Sequence, residues 1–319
     1  MRRTLPLVLC VMLAAVVAAC RTMPAESVPE YQLTDLTGAY VAFFDRTQDL
    51  TTDARVAAFK ADVGAQFPGF YDATRMAEIA GMTPAQYDDE IARSFTNFSL
   101  RREAFTRTAA SFQSMLRPAI ESFVGTFDDF RNVGHIALLH SLGEIDGGTR
   151  DLSGQSWLVF GADVMARLYP PGSERPFFHH ELFHVYNAQF FGDCEPLWCA
   201  LWMEGLAVYV SEQLNPGATD AELLLTSPAP IRAAVDANLA HAVCAISARL
   251  DSTVEKEYAS FFYGSSSFEE LPPRSGYYIG HLAAKQAGKR HSLSALAHFN
   301  QAQARAALDS AVAWLATCR

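Results

Sequence analysis

The sequence predicts an α+β protein that is mostly helical and carries a small β-sheet in its middle. Apolar residues recur at helical spacing over 52–66 and over 100–130. Two apolar runs next to turn-forming residues, at 133–140 and 156–162, have the length and composition of strands. The chain then enters a helix over about 176–191 that is apolar on nearly every side, and such a helix is expected to be buried.

Length and charge limit the possible partners. The chain has 319 residues and a formal net charge of −10. This charge disfavours binding to nucleic acid or to an anionic membrane surface. We expect residues 35–319 to form one functional domain, in which 35–130 is a helical N-terminal part without catalytic residues and 131–319 carries the site.

Residues 1–19 have the features of an export signal. Two arginines are followed by an apolar run that is short for a stable membrane span. The run ends in Val17-Ala18-Ala19-Cys20, which resembles a bacterial lipobox, in which the cysteine is acylated and becomes the mature N-terminus. An ordinary secretory signal cut near Ala19 is the alternative.

The lipobox resemblance implies an anchored protein. Lipid on Cys20 would hold the chain at a membrane, and the polar segment 20–34 would serve as a tether. Arg21, rather than Asp, follows the cysteine, and in lipoproteins this implies the outer membrane, with the protein facing the periplasm.

Four cysteines remain after the signal, an even number that favours two disulfides in an exported protein. We predict a Cys194–Cys199 pair because only four residues separate the two, and a Cys244–Cys318 pair by elimination. Free buried thiols are the alternative. A structural zinc site is disfavoured because no second Cys/His pair has suitable spacing.

The predicted strands lead to a hypothesis about substrate binding. Thr83 is expected to cap a helix over 84–95, and the long helical region over 100–130 follows before the chain changes to strands. A sheet edge just before the buried helix would suit an extended peptide that adds as a further strand. A plain β-hairpin packed under the helices is the alternative.

The buried helix carries His180-Glu181-Leu182-Phe183-His184, an HExxH motif. Residues four apart share one helix face, so His180 and His184 can bind one metal ion. Glu204 follows in the next predicted helix as a third ligand. Two nitrogens and one oxygen suit a hydrolytic zinc ion, which keeps one position open for water. Glu181 is then the general base.

Other residues are predicted to have supporting roles. Asn187 lies three residues after His184 and is predicted to support the ligands from behind. His179 is expected to be structural, because its side chain points away from the ligand face. Asp163 is near enough in sequence to orient a ligand histidine. Glu144 and Asp146 can equally be solvated loop charges.

The C-terminal third reads as further helices around one unusual segment. Helices are predicted over 219–227, 229–250, 253–263 and 292–317. Between them, Pro and Gly residues position the segment 271–281. A tetrahedral oxyanion needs a hydrogen-bond donor besides the metal. Tyr277 and Tyr278 are the first candidates for this catalytic role and His281 is the next, although packing alone is the alternative for the two tyrosines.

These motifs together resemble the gluzincin clan of zinc metallopeptidases. The match rests on His180-Glu181-x-x-His184 and on Glu204-Gly205-Leu206-Ala207, and the interval between them fits thermolysin. Gly276-Tyr277-Tyr278-Ile279-Gly280 looks similar to a later segment in bacterial families of predicted zinc-dependent proteases. The resemblance implies a zincin-like fold, one zinc ion and hydrolysis of peptide bonds.

One departure from the gluzincin pattern affects the ligand support. Thermolysin-like enzymes place an Asp four residues after the glutamate ligand, whereas Val208 stands there in this chain. The groups around the ligands must therefore differ, and thermolysin's substrate preferences do not carry over. The rival hypothesis is a lipoprotein that binds a peptide or a protein through a degenerate or structural zinc site. Hydrolysis of a non-peptide amide is a third.

Overall fold

The structure, a computed structural model, describes residues 30–170, 172–264, 266 and 271–318. The predicted signal over 1–19, the lipidation site Cys20 and the first part of the predicted tether lie outside the described residues. The described strands are β1 (Glu30–Asp35), β2 (Asn132–Leu139), β3 (Gly147–Leu152) and β4 (Gln155–Gly161). Strand β1 corrects the tether boundary, since residues 30–34 are part of the sheet.

Helices dominate the remainder, so the predicted α+β, mostly helical class is confirmed. The described α-helices are α1 (Thr37–Arg46), α2 (Thr52–Asp62), α3 (Ala73–Ala80), α4 (Pro84–Val124), α5 (Ala162–Leu168), α6 (Arg175–Phe191), α7 (Leu197–Leu214), α8 (Ile231–Ala237), α9 (Leu239–Ser247), α10 (Glu255–Phe262), α11 (Ser275–Ala287), α12 (Leu293–Ala297) and α13 (Gln301–Leu315). Within the described residues, no helix is long and apolar enough to cross a membrane.

The four strands form one sheet in the order β1-β2-β4-β3. Strands β1, β2 and β4 run parallel, and β3 pairs with β4 in the antiparallel direction. Ser153 and Gly154 join β3 to β4 with positive φ angles of 58° and 77°, as a tight two-residue hairpin requires. Strand β3 is therefore an edge of the sheet, and both β3 and β2 contact α6.

The long helix α4 supports α6 from behind. Its start is as predicted, since Thr83 caps it in a capping box with Gln86. It then runs without a break to Val124, whereas the sequence predicted an end near Phe95. Residues 96–99 include weak helix formers, but Phe98 continues the buried face, and this packing outweighs local propensity.

Aromatic side chains join α4 to α6. Phe112 meets Phe178 with ring centroids 5.4 Å apart. Near the other end of α6, Phe123 meets Tyr186 at 6.0 Å. The buried residues of the N-terminal helices, the sheet and the C-terminal helices belong to one hydrophobic core. Helix α6 is thus held rigidly, which suits a site whose ligands must keep fixed spacing.

The helix predicted over 219–227 is wrong. The described chain there forms turns, with backbone hydrogen bonds from Leu223 to Thr219 and from Leu225 to Asp220. Pro216, Pro228 and Pro230 flank the segment and prevent the helix from extending. The single helix predicted over 229–250 is two, α8 and α9, separated at Asn238.

Both predicted disulfide pairs are at bonding distance. Cys194 and Cys199 have Cα atoms 5.8 Å apart, and the pair links the end of α6 to the start of α7. Cys244 and Cys318 have Cα atoms 5.3 Å apart, and the pair attaches the C-terminal end to α9. Gly192 ends α6 with φ of 69°, as expected. The first pair therefore limits how far α6 and α7 can separate.

Candidate metal centre

Two helices bring the three predicted ligands together. His180 and His184 lie one turn apart on α6, and their Nε2 atoms are 3.0 Å apart. Glu204 of α7 places its Oε2 atom 3.2 Å from His180 Nε2 and 3.3 Å from His184 Nε2. Among the described residues, these three form a group whose donor atoms all lie within 4.8 Å of one another. The arrangement could hold a metal ion.

The spacing of the three atoms fits a small tetrahedral ion. Zinc binds His nitrogen and carboxylate oxygen at about 2.0–2.1 Å, and tetrahedral angles then place ligand atoms about 3.3 Å apart. The observed separations of 3.0, 3.2 and 3.3 Å are close to this value. Three lone-pair atoms that face one another repel unless a proton or a cation lies between them. The donor set therefore fits a divalent cation.

The electrostatics of the group follow from its burial and its charges. Burial alone would raise the pKa of Glu204, but the neighbouring His184 and His180 imidazoles hold it well below its ordinary value. Burial alone would lower the pKa of His184, but the Glu204 carboxylate raises it to about 9. Burial also lowers the pKa of His180. A proton on His184 thus balances Glu204, and a bound cation would take over that role.

Glu181 lies beside the ligands in a dry environment. Its side chain is buried, and this burial raises the pKa of Glu181 to about 8. Its carboxylate accepts no hydrogen bond from any residue that the structure describes, so it is available to a bound water or substrate. Gly147 of β3 makes its position possible, because a β-carbon there would lie 3.2 Å from Glu181 Cγ and 2.4 Å from Phe177 Cζ.

Tyr277 is the predicted oxyanion donor that the structure places near the ligands. Its ring centroid is 6.3 Å from that of His180. Helix α11 carries Tyr277, and it packs on α7 with Gly280 directly against Gly205, where a β-carbon on Gly205 would lie 2.0 Å from the Gly280 carbonyl carbon. Burial raises the pKa of Tyr277 well above its ordinary value, so its hydroxyl keeps the proton that an oxyanion needs.

Tyr278 and His281 of α11 are held by partners outside the ligand group, and their assignment as donors is corrected. The Tyr278 hydroxyl donates to Asp236 Oδ1 at 2.9 Å. His281 Nε2 lies 3.0 Å from Glu212 Oε2 and the side chain is fully buried. The two rings stack on each other at 5.7 Å. Both polar groups are therefore engaged in a structural network rather than directed at the ligands.

Asn187 does not support the ligand histidines. Its Nδ2 donates to the backbone carbonyl of Ala297 at 2.8 Å, which attaches α6 to α12. The prediction failed because a residue three positions after a ligand is near it on the helix but need not point the same way. Val208, at the position of the expected Asp, is buried and apolar. His179 is structural as predicted, with Ser122 and Asn215 as its partners.

The acidic residues before α6 are also placed away from the ligands. Asp163 accepts hydrogen bonds from the backbone of Ser141 and Gly143, so it orders that loop instead of a ligand histidine. Glu144 pairs with Arg75, and Asp146 accepts the Tyr169 hydroxyl at 3.0 Å. These carboxylates stabilise the surroundings of β3.

Sequence reasoning missed two features of the site. The first is Gly147 and Gly148, where β3 approaches Glu181; a glycine pair entering a strand is a signal of close backbone approach. The second is Arg274, whose guanidinium lies 4.5 Å from the centre of the Tyr277 ring. Arg274 has a positive φ of 63°. Its position immediately before α11 is the only signal in the sequence for this conformation.

Comparison with protein-family models, with curated proteins and with solved structures finds no match to this chain. The functional argument therefore rests on the geometry of the site itself.

Proposed function

We propose that this protein is a zinc-dependent peptidase with a zincin-like fold. The single observation that carries the proposal is the convergence of His180, His184 and Glu204 with the buried carboxylate of Glu181 beside them. Structural zinc sites usually have four protein ligands, whereas hydrolytic sites have three and an open position. Three ligands are found here among the described residues, which favours the catalytic type over the rival of a purely structural site.

The residues of the chain divide the chemistry between them. When bound, zinc lowers the pKa of a water molecule and polarises a carbonyl group. Glu181 accepts the proton of the attacking water at its carboxylate and later transfers it to the leaving amine nitrogen. Tyr277 donates its hydroxyl hydrogen to the oxygen of the tetrahedral intermediate. The buried setting strengthens each of these interactions, because little water screens them.

The edge strand β3 supports a peptide as the substrate. One side of β3 pairs with β4 and the other side pairs with no described strand. Its start lies against Glu181, so an extended peptide that pairs with β3 would pass the proposed metal site. The proposed location is the periplasmic face of the outer membrane, through lipid on Cys20, and two disulfide pairs suit an exported protein.

The test compares wild-type protein with Glu181→Gln. The glutamine keeps the size of the side chain but cannot accept the proton, so hydrolysis of a peptide library should fall by a factor on the order of 10²–10⁴. Zinc content should stay the same, because Glu181 is not a ligand. Glu78→Gln, an exposed change on α3, serves as the control. Equal cleavage by wild type and Glu181→Gln would contradict the proposal and favour the peptide-binding rival.

A further inference from the structure

A cavity of about 480 Å³ shares strand β3 with the candidate metal centre and has no part in the proposed chemistry. Its walls come from α3, the start of α4, the loop over 141–144, strand β3 and Tyr263 after α10. We call it the β3 cavity. Its volume is within the range of about 300–1,000 Å³ that is usual for ligand pockets.

The lining of the β3 cavity is apolar except for polar side chains that already have partners. Ile79 and Tyr263 line it although 56% and 52% of their side chains remain exposed. Only four other large hydrophobic side chains within the described residues are exposed to a similar degree. Exposed apolar surface gathered in one cavity is typical of a binding site.

The charges around the β3 cavity neutralise one another. Arg75 donates to Glu144 Oε1 at 3.0 Å, and Arg150 Nε donates to the same oxygen at 3.3 Å. These side chains form part of the wall, and both guanidinium groups already have an acceptor. A charged ligand would have to break these pairs, whereas an apolar ligand would gain buried area without that cost.

Strand β3 carries both Arg150, which lines the β3 cavity, and Gly147, which lies against Glu181. A β-carbon added at Gly148 would lie 3.5 Å from Arg150 Nη1, in the cavity wall, and 4.0 Å from Glu181 Oε2. On the opposite wall, Tyr263 follows Phe262, whose ring centroid is 5.6 Å from that of Tyr277. Strand β3 and the end of α10 therefore connect the wall of the β3 cavity to Glu181 and Tyr277.

We propose that the β3 cavity receives a large apolar side chain of the peptide substrate, at one fixed position relative to the scissile bond. The inference rests on the proposed function. A peptide that pairs with the free side of β3 is held in register by backbone hydrogen bonds, and its side chains alternate in direction. The side chain that points to α3 enters the cavity, and its size and apolarity determine which bond is cleaved.

The test uses two tryptophan substitutions on α3. Ala80 is exposed and lines the cavity, so Ala80→Trp fills it without disturbing the core. Ala77 is exposed on the same helix but does not line the cavity, so Ala77→Trp is the matched control. In a peptide-library cleavage assay, wild type and Ala77→Trp should prefer Phe, Leu or Met at one fixed position. Ala80→Trp should lose about 10-fold or more in kcat/KM for those peptides and keep cleavage of peptides with Ala there.

A binding measurement separates this inference from the proposed function. Zinc-loaded Glu181→Gln, with and without Ala80→Trp, is titrated with fluorescent peptides that carry Phe or Ala at successive positions. If no variant cleaves but the Phe peptides bind and Ala80→Trp weakens them, the cavity assignment stands and hydrolysis is wrong. Identical preferences for wild type and Ala80→Trp in cleavage, or identical affinities in binding where nothing is cleaved, would overturn the cavity assignment.

Discussion

Helix α7 pairs a glutamate with histidine at two places, and the two clusters behave differently. At Glu204 the partners are two imidazoles, whose ring nitrogens can each donate or accept depending on protonation. At Glu212 the partners are His281 at 3.0 Å, Lys285 at 3.3 Å and Arg232 at 4.0 Å. The hydrogen bond from His281 is the main cause that lowers the pKa of Glu212 to about 2.

The balance of charge around the two glutamates distinguishes a candidate metal site from a structural polar cluster. Glu212 is surrounded by hydrogen-bond donors and permanent cations, so its charge is balanced within the protein. Around Glu204 there is no permanent cation among the partners named above, and the carboxylate is balanced only when an imidazole carries an extra proton. A buried group with too many acceptors needs a cation, whereas a group with matched donors does not. The predictions below test this distinction.

The largest expected difference is between Glu204→Gln and Glu212→Gln. Replacing a group that is hydrogen-bonded to a metal ligand typically weakens metal binding by about 10- to 100-fold, and loss of the ligand itself should weaken it further. Glu212→Gln should leave zinc affinity unchanged and cost about 1–3 kcal/mol of folding stability, because His281 and Lys285 lose their carboxylate. Competition with a chromophoric chelator and thermal unfolding measure the two effects. Similar zinc affinities for both variants would contradict the distinction between the Glu204 and Glu212 clusters.

Tyr277→Phe and Tyr278→Phe should likewise have different effects, the first on catalysis and the second on stability. Without its hydroxyl, Tyr277 cannot donate to the oxyanion, and kcat should fall by about 10²- to 10³-fold while the protein remains folded. Tyr278→Phe removes the hydrogen bond to Asp236 and should cost about 1 kcal/mol of stability with little effect on kcat. Steady-state kinetics with a peptide substrate measure kcat for both variants. A larger loss of kcat in Tyr278→Phe would show that the wrong face of α11 was assigned.

Gly280→Ala tests whether the contact between α7 and α11 holds the site together. The new β-carbon would lie 2.1 Å from the Leu201 carbonyl oxygen and 2.9 Å from Gly205 Cα, so the helices must move apart. We expect about 1–3 kcal/mol of destabilisation and a lower kcat, since Glu204 and Tyr277 sit on these two helices. Gly38→Ala, at a helical position where a β-carbon meets no atom within 4 Å, is the control. Unchanged thermal stability in Gly280→Ala would contradict this account.

The candidate ligand group could be predicted from the sequence because it depends on local geometry. Residues four apart on one helix share a face wherever the helix lies, so His180 and His184 were fixed by spacing alone. The burial of α6 followed from apolar residues on all of its sides. The close approach at Gly205 was also predictable, because glycine permits it, although its partner Gly280 was not.

The features that could not be predicted depend on tertiary contacts. Tyr277 and Tyr278 are neighbours in sequence, but on a helix they face about 100° apart, and only the packing of α11 on α7 decides which ring lies near His180. Similarly, Asn187 has the correct spacing but bonds to α12. The length of α4 was missed because Phe98 packs in the core despite weak helix formers around it. Local patterns thus identify ligands more securely than the groups around them.

The central claim is that His180, His184 and Glu204 form a zinc site, and the most direct test is the metal content of the protein. Wild-type protein and Glu212→Gln, purified without chelators, should each contain about one zinc per chain, as measured by inductively coupled plasma mass spectrometry. Glu204→Gln should contain far less. Wild-type protein that contains no zinc, and that takes up none from a stoichiometric zinc solution, would contradict the account.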